Sequence, residues 1–202
     1  MTTFGPVQVA ADDRDGWENV AGAINGTAGD DPSIGALTSG NFWAGFGFTS
    51  VTVPQGATVD AASTLELYIL TTTNDDLVAN FHCQAADNAG AFTTTTNDIS
   101  NRPRTTNYQA VNAMSIGANT WYAVTGSGLA AAMTEVFIRP GWTSGNALVF
   151  ILDAQSGIAF GCHDYGGGSS NAARLTIVYS VGGGSKLQRV RLTTRVGGIL
   201  TA

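Results

Sequence analysis

The chain has 202 residues and a mass of 20.8 kDa, with 26 glycines and only 12% charged residues. This length fits one domain of about 180 residues and a tail, and such a domain buries roughly 70% of its unfolded surface. It therefore needs neither a metal nor a disulfide to fold. The low charge and the many small polar residues favour an all-β protein of an extracellular or particle surface over a helical cytosolic enzyme.

Acidic and basic residues divide the chain in two. Residues 1–181 hold all fifteen acidic residues and five arginines, a balance of −10, whereas the residues from Gly182 onward hold four basic residues and no acidic one, which gives −6 overall. An acidic body argues against a nucleic-acid partner.

No apolar run approaches the ~18 residues of a membrane-spanning helix, so we expect no membrane partner. Met1 to Pro6 lack the basic start and apolar core of a signal peptide. We therefore expect either a chain that is not exported by that route, which the retained Met1 favours, or a sequence that begins after processing.

Apolar runs of strand length recur along the body, with turn-forming residues between them. The predicted strands are 7–10, 42–53, 64–71, 77–86, 107–113, 121–124, 147–153, 157–165 and 172–181. Leu65, Leu67 and Ile69 alternate with Glu66 and Tyr68, which is typical of a half-buried strand. Residues 147–152 are apolar throughout, so this strand should lie centrally in its sheet. Many short strands with turns between them predict an antiparallel, jelly-roll-like β-sandwich.

One segment has helical spacing instead. In residues 128–138, Leu129, Met133, Val136 and Phe137 fall on one helical stripe, which ends before Arg139-Pro140-Gly141. We predict one short helix that covers an end of the sandwich.

The end of the chain forms its own unit. We assign residues 1–181 to the sandwich, 182–185 to a flexible Gly/Ser hinge, and 186–202 to a basic extended segment, called the arm below. Cationic and apolar side chains alternate along the arm, which predicts a strand that binds a partner through both faces. The predicted binding residues are Lys186, Arg189, Val190, Arg191, Leu192, Arg195 and Val196. Docking of the arm on its own body, or disorder, are the alternatives.

Four stretches resemble a known group of domains. Residues 51–67 (VTVPQGATVDAASTLEL) and 139–148 (RPGWTSGNAL) are similar to two of its recurrent signatures, residues 173–179 to its final strand, and residues 11–13 to its opening. Residues 7–181 thus resemble the DNRLRE-type and carbohydrate-binding-module-like β-sandwich domains. The resemblance implies a sandwich fold, and such domains occur in secreted bacterial surface proteins and in phage particle proteins.

Histidine and cysteine occur only as His82-Cys83 and Cys162-His163. Two of each would suffice for a tetrahedral zinc site. Because adjacent residues of a strand point to opposite faces, we instead expect both cysteines inward and both histidines outward. The cysteines are then either free thiols or a disulfide, and assembly in the cytoplasm favours the thiols.

Acidic residues cluster at 12–18, at 30–31 and at 75–76. Calcium binds six to eight oxygen ligands, but the first cluster lacks the twelve-residue calcium-loop pattern. Solvated carboxylates in turns are therefore the first interpretation, with a structural calcium as the alternative, and we assign no cofactor.

The sequence holds no nucleophile motif, phosphate loop or facing pair of catalytic carboxylates. We therefore expect no enzymatic activity. Sugar binding is the rival interpretation, since sugar-binding modules stack sugar rings on exposed aromatic side chains. Trp17, which lies between Asp15 and Glu18, is the candidate for this role, whereas Trp43 and Trp142 should belong to the core.

From the charge pattern, the arm and the resemblance, we expect a non-enzymatic phage virion protein. It would be a head decoration, a minor capsid component or a tail-associated protein at the virion surface, and it would form homo-oligomers. Its partners would be other capsid or tail subunits. A carbohydrate-binding module or adhesin, acting at a cell or virion surface on a glycan, is the alternative.

Overall fold

The structure, a computed structural model, describes residues 1–25, 33–34, 36–37, 40–70, 77–113, 117–156 and 160–182. Its strands follow one another along the chain, and most are short. They are β1 (Thr2–Gln8), β2 (Asp15–Glu18), β3 (Ile24–Asn25), β4 (Ser33–Ile34), β5 (Ala36–Leu37), β6 (Gly40–Asn41), β7 (Trp43–Phe48), β8 (Ala57–Val59), β9 (Thr64–Ile69), β10 (Leu77–Gln84), β11 (Arg104–Ala113), β12 (Thr120–Thr125), β13 (Leu148–Ser156), β14 (Phe160–Gly161) and β15 (Arg174–Val181).

Two antiparallel sheets form the body. Sheet A has the strand order β1-β15-β9-β12, with β8 also paired to β15, and sheet B has the order β11-β10-β13-β7-β2-β3. Two further pairs, β4 with β14 and β5 with β6, lie outside these sheets. The predicted all-β antiparallel sandwich is confirmed. The last strand ends at Val181, the residue before the predicted hinge.

The core lies between the two sheets. Leu65, Leu67 and Ile69 of β9 point into it with no more than 1% of their surface exposed, as their alternation predicts. Leu148, Phe150 and Leu152 of β13 join the same core from the opposite sheet.

The central position predicted for residues 147–152 is also confirmed, since β13 lies between β10 and β7. Its other face carries Val149 and Ile151, which pack in a second cluster with Phe92 and Ile99 of the 85–103 loop. This loop covers the outer face of sheet B, and it explains why the strand is apolar on both sides. Gly45 of β7 allows the approach, because a β-carbon there would lie 2.2 Å from the Phe92 ring.

The predicted helix is confirmed as α1 (Ser127–Phe137), whose buried side is formed by Leu129, Met133, Val136 and Phe137 together with two alanines. It packs against β8 and β11 at one end of the sandwich. A second, single-turn helix, α2 (Tyr165–Gly168), was not predicted. Asp164 caps it by accepting a hydrogen bond from the Gly167 N–H.

Candidate functional site

The residues of the predicted arm, 186–202, lie outside the described residues, and their predicted role in binding stays a prediction. The body to which the arm is joined is described up to Gly182. A basic, partly apolar segment would bind a surface that combines apolar side chains with carboxylates, and the described surface of the body can be searched for one.

Trp17, the predicted sugar-binding residue, is half-buried. It lies in β2 with its ring 5.4 Å from that of Phe42, and it packs against the main core. Its indole Nε1 is buried and has no hydrogen-bond partner within the described part of the chain. The parity of β2 turns this ring toward the core, so Trp17 is half-buried and not fully exposed, and the sugar-binding role predicted for it stays a prediction.

The two cysteines lie on opposite sheets. Cys83 belongs to β10 of sheet B, while Cys162 forms a bridge with Ile69 of sheet A, and both are buried and form no disulfide with each other. Burial, and to a lesser degree the charge of Glu135, raises the pKa of Cys83 well above its ordinary value. The histidines are half-buried on the outer faces, as strand parity predicted.

The acidic segment 12–18 does not converge on one point. Asp12 and Asp13 lie exposed in a 3-10 turn, whereas Asp15 and Glu18 are buried in β2. Glu18 accepts hydrogen bonds from the backbone N–H groups of Ile99 and Ser100, at 3.0 and 2.9 Å, and so anchors the 85–103 loop. Among the described residues, no three His, Cys, Asp or Glu side chains form a group that could hold a metal ion.

Asp15 and Asp164 form a buried carboxyl pair. Burial, together with the negative charge of Asp164, raises the pKa of Asp15 to about 8, and the Tyr165 N–H donates to its Oδ2 at 2.9 Å. Both residues are 0% exposed, so neither can reach a substrate in solution. The pair links β2 to α2 rather than lining an open site.

A concave surface of the described body lies beside α1. It is a groove of about 480 Å³ that runs between this helix and β8, with Asn107 of β11 at one side. Its lining combines small or apolar side chains with two carboxylates: Thr58, Val59, Asp60, Ala61, Asn107, Ser127, Ala130, Ala131, Thr134, Glu135 and Ile138.

Sheet topology explains why this groove exists. β8 and β9 follow one another along the same side of β15. β12 pairs with the outer edge of β9 only, and it ends at Thr125, where the chain turns into α1. The outer edge of β8 therefore faces a helix instead of a strand, and the Val59 N–H donates to Thr134 Oγ1 at 3.0 Å. Small residues on this side of α1 keep the space open.

Two carboxylates give the groove its charge. Glu135 accepts hydrogen bonds from the N–H groups of Thr106 and Asn107 at 2.9 and 3.0 Å, and from the Asn107 amide at 2.9 Å. Burial opposes its ionisation, but these bonds and the nearby Arg139 outweigh burial and hold the pKa of Glu135 below its ordinary value. The side chain of Asp60, on the opposite wall, caps a turn by accepting from the Ala62 N–H.

The five arginines of the body form ion pairs, hydrogen bonds or ring contacts within it. Arg139 pairs with Asp87 at 2.6 Å, Arg174 with Glu66 at 2.8 Å, and Arg102 with Asp98 at 2.9 Å. Arg14 donates to the Ala89 carbonyl, and Arg104 lies over the Trp43 ring. Since all five are bound within the body, its excess negative charge is left for other partners.

Aromatic side chains gather on the outer face of sheet A. The rings of Tyr68 and Trp121 lie 5.3 Å apart, edge to face, and the His163 ring lies 5.5 Å from Tyr68. The Arg174 guanidinium covers Trp121 at 3.9 Å and also binds Glu66 through two hydrogen bonds. Half-buried aromatics beside charged groups can stack on a planar or sugar ring.

Sequence reasoning missed the groove and this aromatic face. The groove had a readable signal, because Ser127, Ala130, Ala131 and Thr134 form a stripe of small residues beside the apolar stripe of the helix. The aromatic face depends on the pairing register of β9 and β12, which places Tyr68 opposite Trp121.

Comparison with known proteins identifies no relative of this chain. No family model matches the sequence, and no curated protein matches it either. Within the described residues, no helix has the length and apolar character needed to cross a membrane.

Proposed function

We propose that this protein is a non-enzymatic structural component of a phage particle, displayed at the virion surface and attached through its arm, residues 186–202. A head decoration protein, a minor capsid protein and a tail-associated protein all fit this role. The resemblance of residues 7–181 to β-sandwich domains of phage particle proteins supports the setting.

The division of charge carries the proposal. The body has fifteen acidic residues and five arginines, and these arginines are bound within it, while the four basic residues of the arm stand in sequence beyond a Gly/Ser hinge. A basic segment joined to an acidic globule is suited to link one globule to another acidic surface, including that of an identical copy.

Attachment would proceed by strand addition. The backbone of the arm pairs with an exposed sheet edge, Val190, Leu192 and Val196 enter apolar space, and the arginines meet carboxylates. Surface ion pairs contribute only ~0–1 kcal/mol each, so strand pairing and apolar burial must supply most of the affinity.

Deleting residues 182–202 tests the proposal. The core and every strand of the two sheets lie before Gly182, so the shortened body should fold and keep its unfolding midpoint. It should, however, fail to enter particles when it replaces the full chain. A variant with Lys186, Arg189, Arg191 and Arg195 all changed to Gln keeps the length of the arm and separates charge from length. Normal incorporation of the shortened chain would overturn the proposal.

Sugar binding is the second candidate, and the aromatic face of sheet A favours it. A glycan array should then show binding that Trp121→Ala abolishes and Trp17→Ala leaves intact, since Trp17 packs on the core. Silence of the unmodified protein across a broad array would count against this function.

A further inference from the structure

We propose that the groove between α1 and β8 is the receptor for the arm of a second copy of this chain. The inference rests on the proposed function, because it names the partner surface to which the arm attaches. The occupant is residues 186–202 of a neighbouring subunit.

The chemistry of the groove matches that of the arm. Ala131 and Ile138 offer apolar surface, and Ile138 is 59% exposed although it is a large hydrophobic residue, while Val59 and Ala130 line the groove but are almost fully buried. Asp60 and Glu135 stand among them. An extended segment in which valine and leucine alternate with arginine presents one apolar and one cationic face, and both have counterparts here.

The position of the groove favours a strand as the occupant. β12 ends at Thr125, so the outer edge of β8 lies beside α1, whereas the edge of β9 has a strand as its neighbour. A segment that enters the groove would lie where a continuation of β12 would run. On this edge the Val59 N–H donates to the side chain of Thr134 and not to a backbone carbonyl, and an added strand would replace this bond with a backbone one.

The exit point of the chain favours the arm of a neighbour over that of the same copy. Val181 pairs with Ala57, and the chain leaves the sheet past this residue. There the 54–56 turn is tied to the end of α1, since Gln55 donates to the carbonyls of Arg139 and Pro140 and the Gly56 N–H donates to that of Phe137.

An arm that pairs antiparallel with β8 must run from the Val59 end toward the Ala57 end, as β15 does. The chain of the same copy leaves the sheet at the Ala57 end, so its arm would first have to run back along β8, and residues 182–185 span only ~13 Å before the first basic residue. The arm of a second copy does not have this constraint.

Blocking the groove while keeping the arm tests the inference. Ala131 is a half-buried groove residue on α1, and Ala131→Lys adds a long cation there without disturbing the helical propensity much. Ala131→Gln adds similar length without charge, and Thr94→Lys adds the same charge at an exposed loop position. Self-association is measured by light scattering during gel filtration.

The full chain and Thr94→Lys should form assemblies larger than a monomer, whereas Ala131→Lys should weaken association by at least about tenfold, with Ala131→Gln in between. Mixing Ala131→Lys with residues 1–181 should then give a one-to-one complex, since one chain supplies the arm and the other an open groove. Each of the two should be monomeric alone.

The outcomes separate this inference from the function on which it rests. If Ala131→Lys associates and enters particles like the full chain while residues 1–181 do not, the arm binds elsewhere and the groove is excluded as its receptor. A monomeric full chain, or no complex in the mixture, would also overturn the inference. If residues 1–181 associate and enter particles normally, the proposed function itself fails.

Discussion

Asp15 shows how one buried residue can set the pH dependence of stability. Its side chain is 0% exposed, and burial and the charges of Asp164 and Asp12 raise its pKa from 3.8 to about 8. At a pH between 3.8 and about 8, the Asp15 carboxyl has lost its proton in the unfolded chain but keeps it in the folded chain. The free energy of unfolding therefore falls as the pH rises through this window and levels off above it.

Asp15→Asn should remove this part of the pH dependence. We expect the urea midpoint of the natural chain to fall between about pH 5 and pH 8 and that of the variant to fall less. Some slope should remain, because burial also raises the pKa of Asp153 despite the opposing charges of Arg104 and His82. Asp13→Asn is the control, since Asp13 is exposed and is not among the charges that raise the pKa of Asp15. Equal slopes for the natural chain and Asp15→Asn would show that Asp15 is ionised in the fold.

Arg102 holds the 85–103 loop against sheet B. Its guanidinium donates to the carbonyls of Asp98, Gly90 and Ala91, pairs with the Asp98 carboxylate, and lies 4.3 Å from the centre of the Phe92 ring. Lysine carries the charge but cannot reproduce this planar set of donors.

Arg102→Lys should destabilise the fold by about 2 kcal/mol and expose the loop to proteolysis, because the three loop carbonyls and the Asp98 carboxylate lose the guanidinium as their donor. Arg139→Lys is the matched control. Both side chains of the Arg139–Asp87 pair are more than a third exposed, so this substitution should lower the free energy of unfolding by less than about 1 kcal/mol. Equal effects of the two substitutions in urea unfolding would contradict this account of the loop.

At the scale of elements, α1 depends on one close approach to β11. A β-carbon on Gly128 would lie 2.3 Å from the Tyr108 carbonyl oxygen and 3.0 Å from the Gln109 Cα, both of them backbone atoms that cannot rotate away. The adjacent Gln109 side chain also accepts a hydrogen bond from the Leu129 N–H at 3.3 Å. The helix therefore starts in direct contact with the strand.

Gly128→Ala should destabilise the protein although alanine is the better helix former. The gain in helix propensity is about 1 kcal/mol, whereas overlap with fixed backbone costs typically 1–3 kcal/mol and moves α1 away from β11. Ser127→Ala, one residue earlier in an exposed position, is the control and should be nearly neutral. An increase in the unfolding midpoint of Gly128→Ala would contradict the close packing of this helix end.

The elements that the sequence predicts best are those with a clear apolar period. The helix predicted at 128–138 is observed at Ser127–Phe137, and the strand predicted at 64–71 is observed at Thr64–Ile69. β1 begins at Thr2, five residues before the predicted strand, because its threonine-rich start pairs with β15 although it has no apolar alternation. Of the strand predicted at 157–165, Phe160–Gly161 is observed as β14.

The candidate site was harder to predict than the fold. The groove arises where β12 ends and the edge of β8 is left to a helix, and this follows from which strands are neighbours, which no local pattern in the sequence contains. Similarly, the 12–18 segment reads as a solvated acidic turn, but Asp15 and Glu18 are buried because their partners, Tyr165 and Ile99, are distant in sequence. Charge, in contrast, is read from the sequence directly.

At the scale of the whole molecule, we propose that the acidic sandwich binds the basic arm of a neighbouring subunit. The body keeps its five arginines in internal contacts, and the groove beside α1 combines apolar surface with Asp60 and Glu135. Most of the affinity would come from strand pairing and apolar burial, and the charges would mainly orient the two partners. Association should therefore weaken but persist when the Debye screening length falls from ~10 Å at about 0.1 M salt to ~3 Å at about 1 M.

Hydrogen–deuterium exchange of the terminal peptides tests the central claim most directly. In the native assembly the amides of residues 186–202 should exchange slowly, since they would be paired with a sheet edge, and in the dissociated chain they should exchange quickly. The groove peptides that contain Val59 and Ala131 should gain protection in the same assembly. Free exchange of the terminal amides in both states would contradict the account.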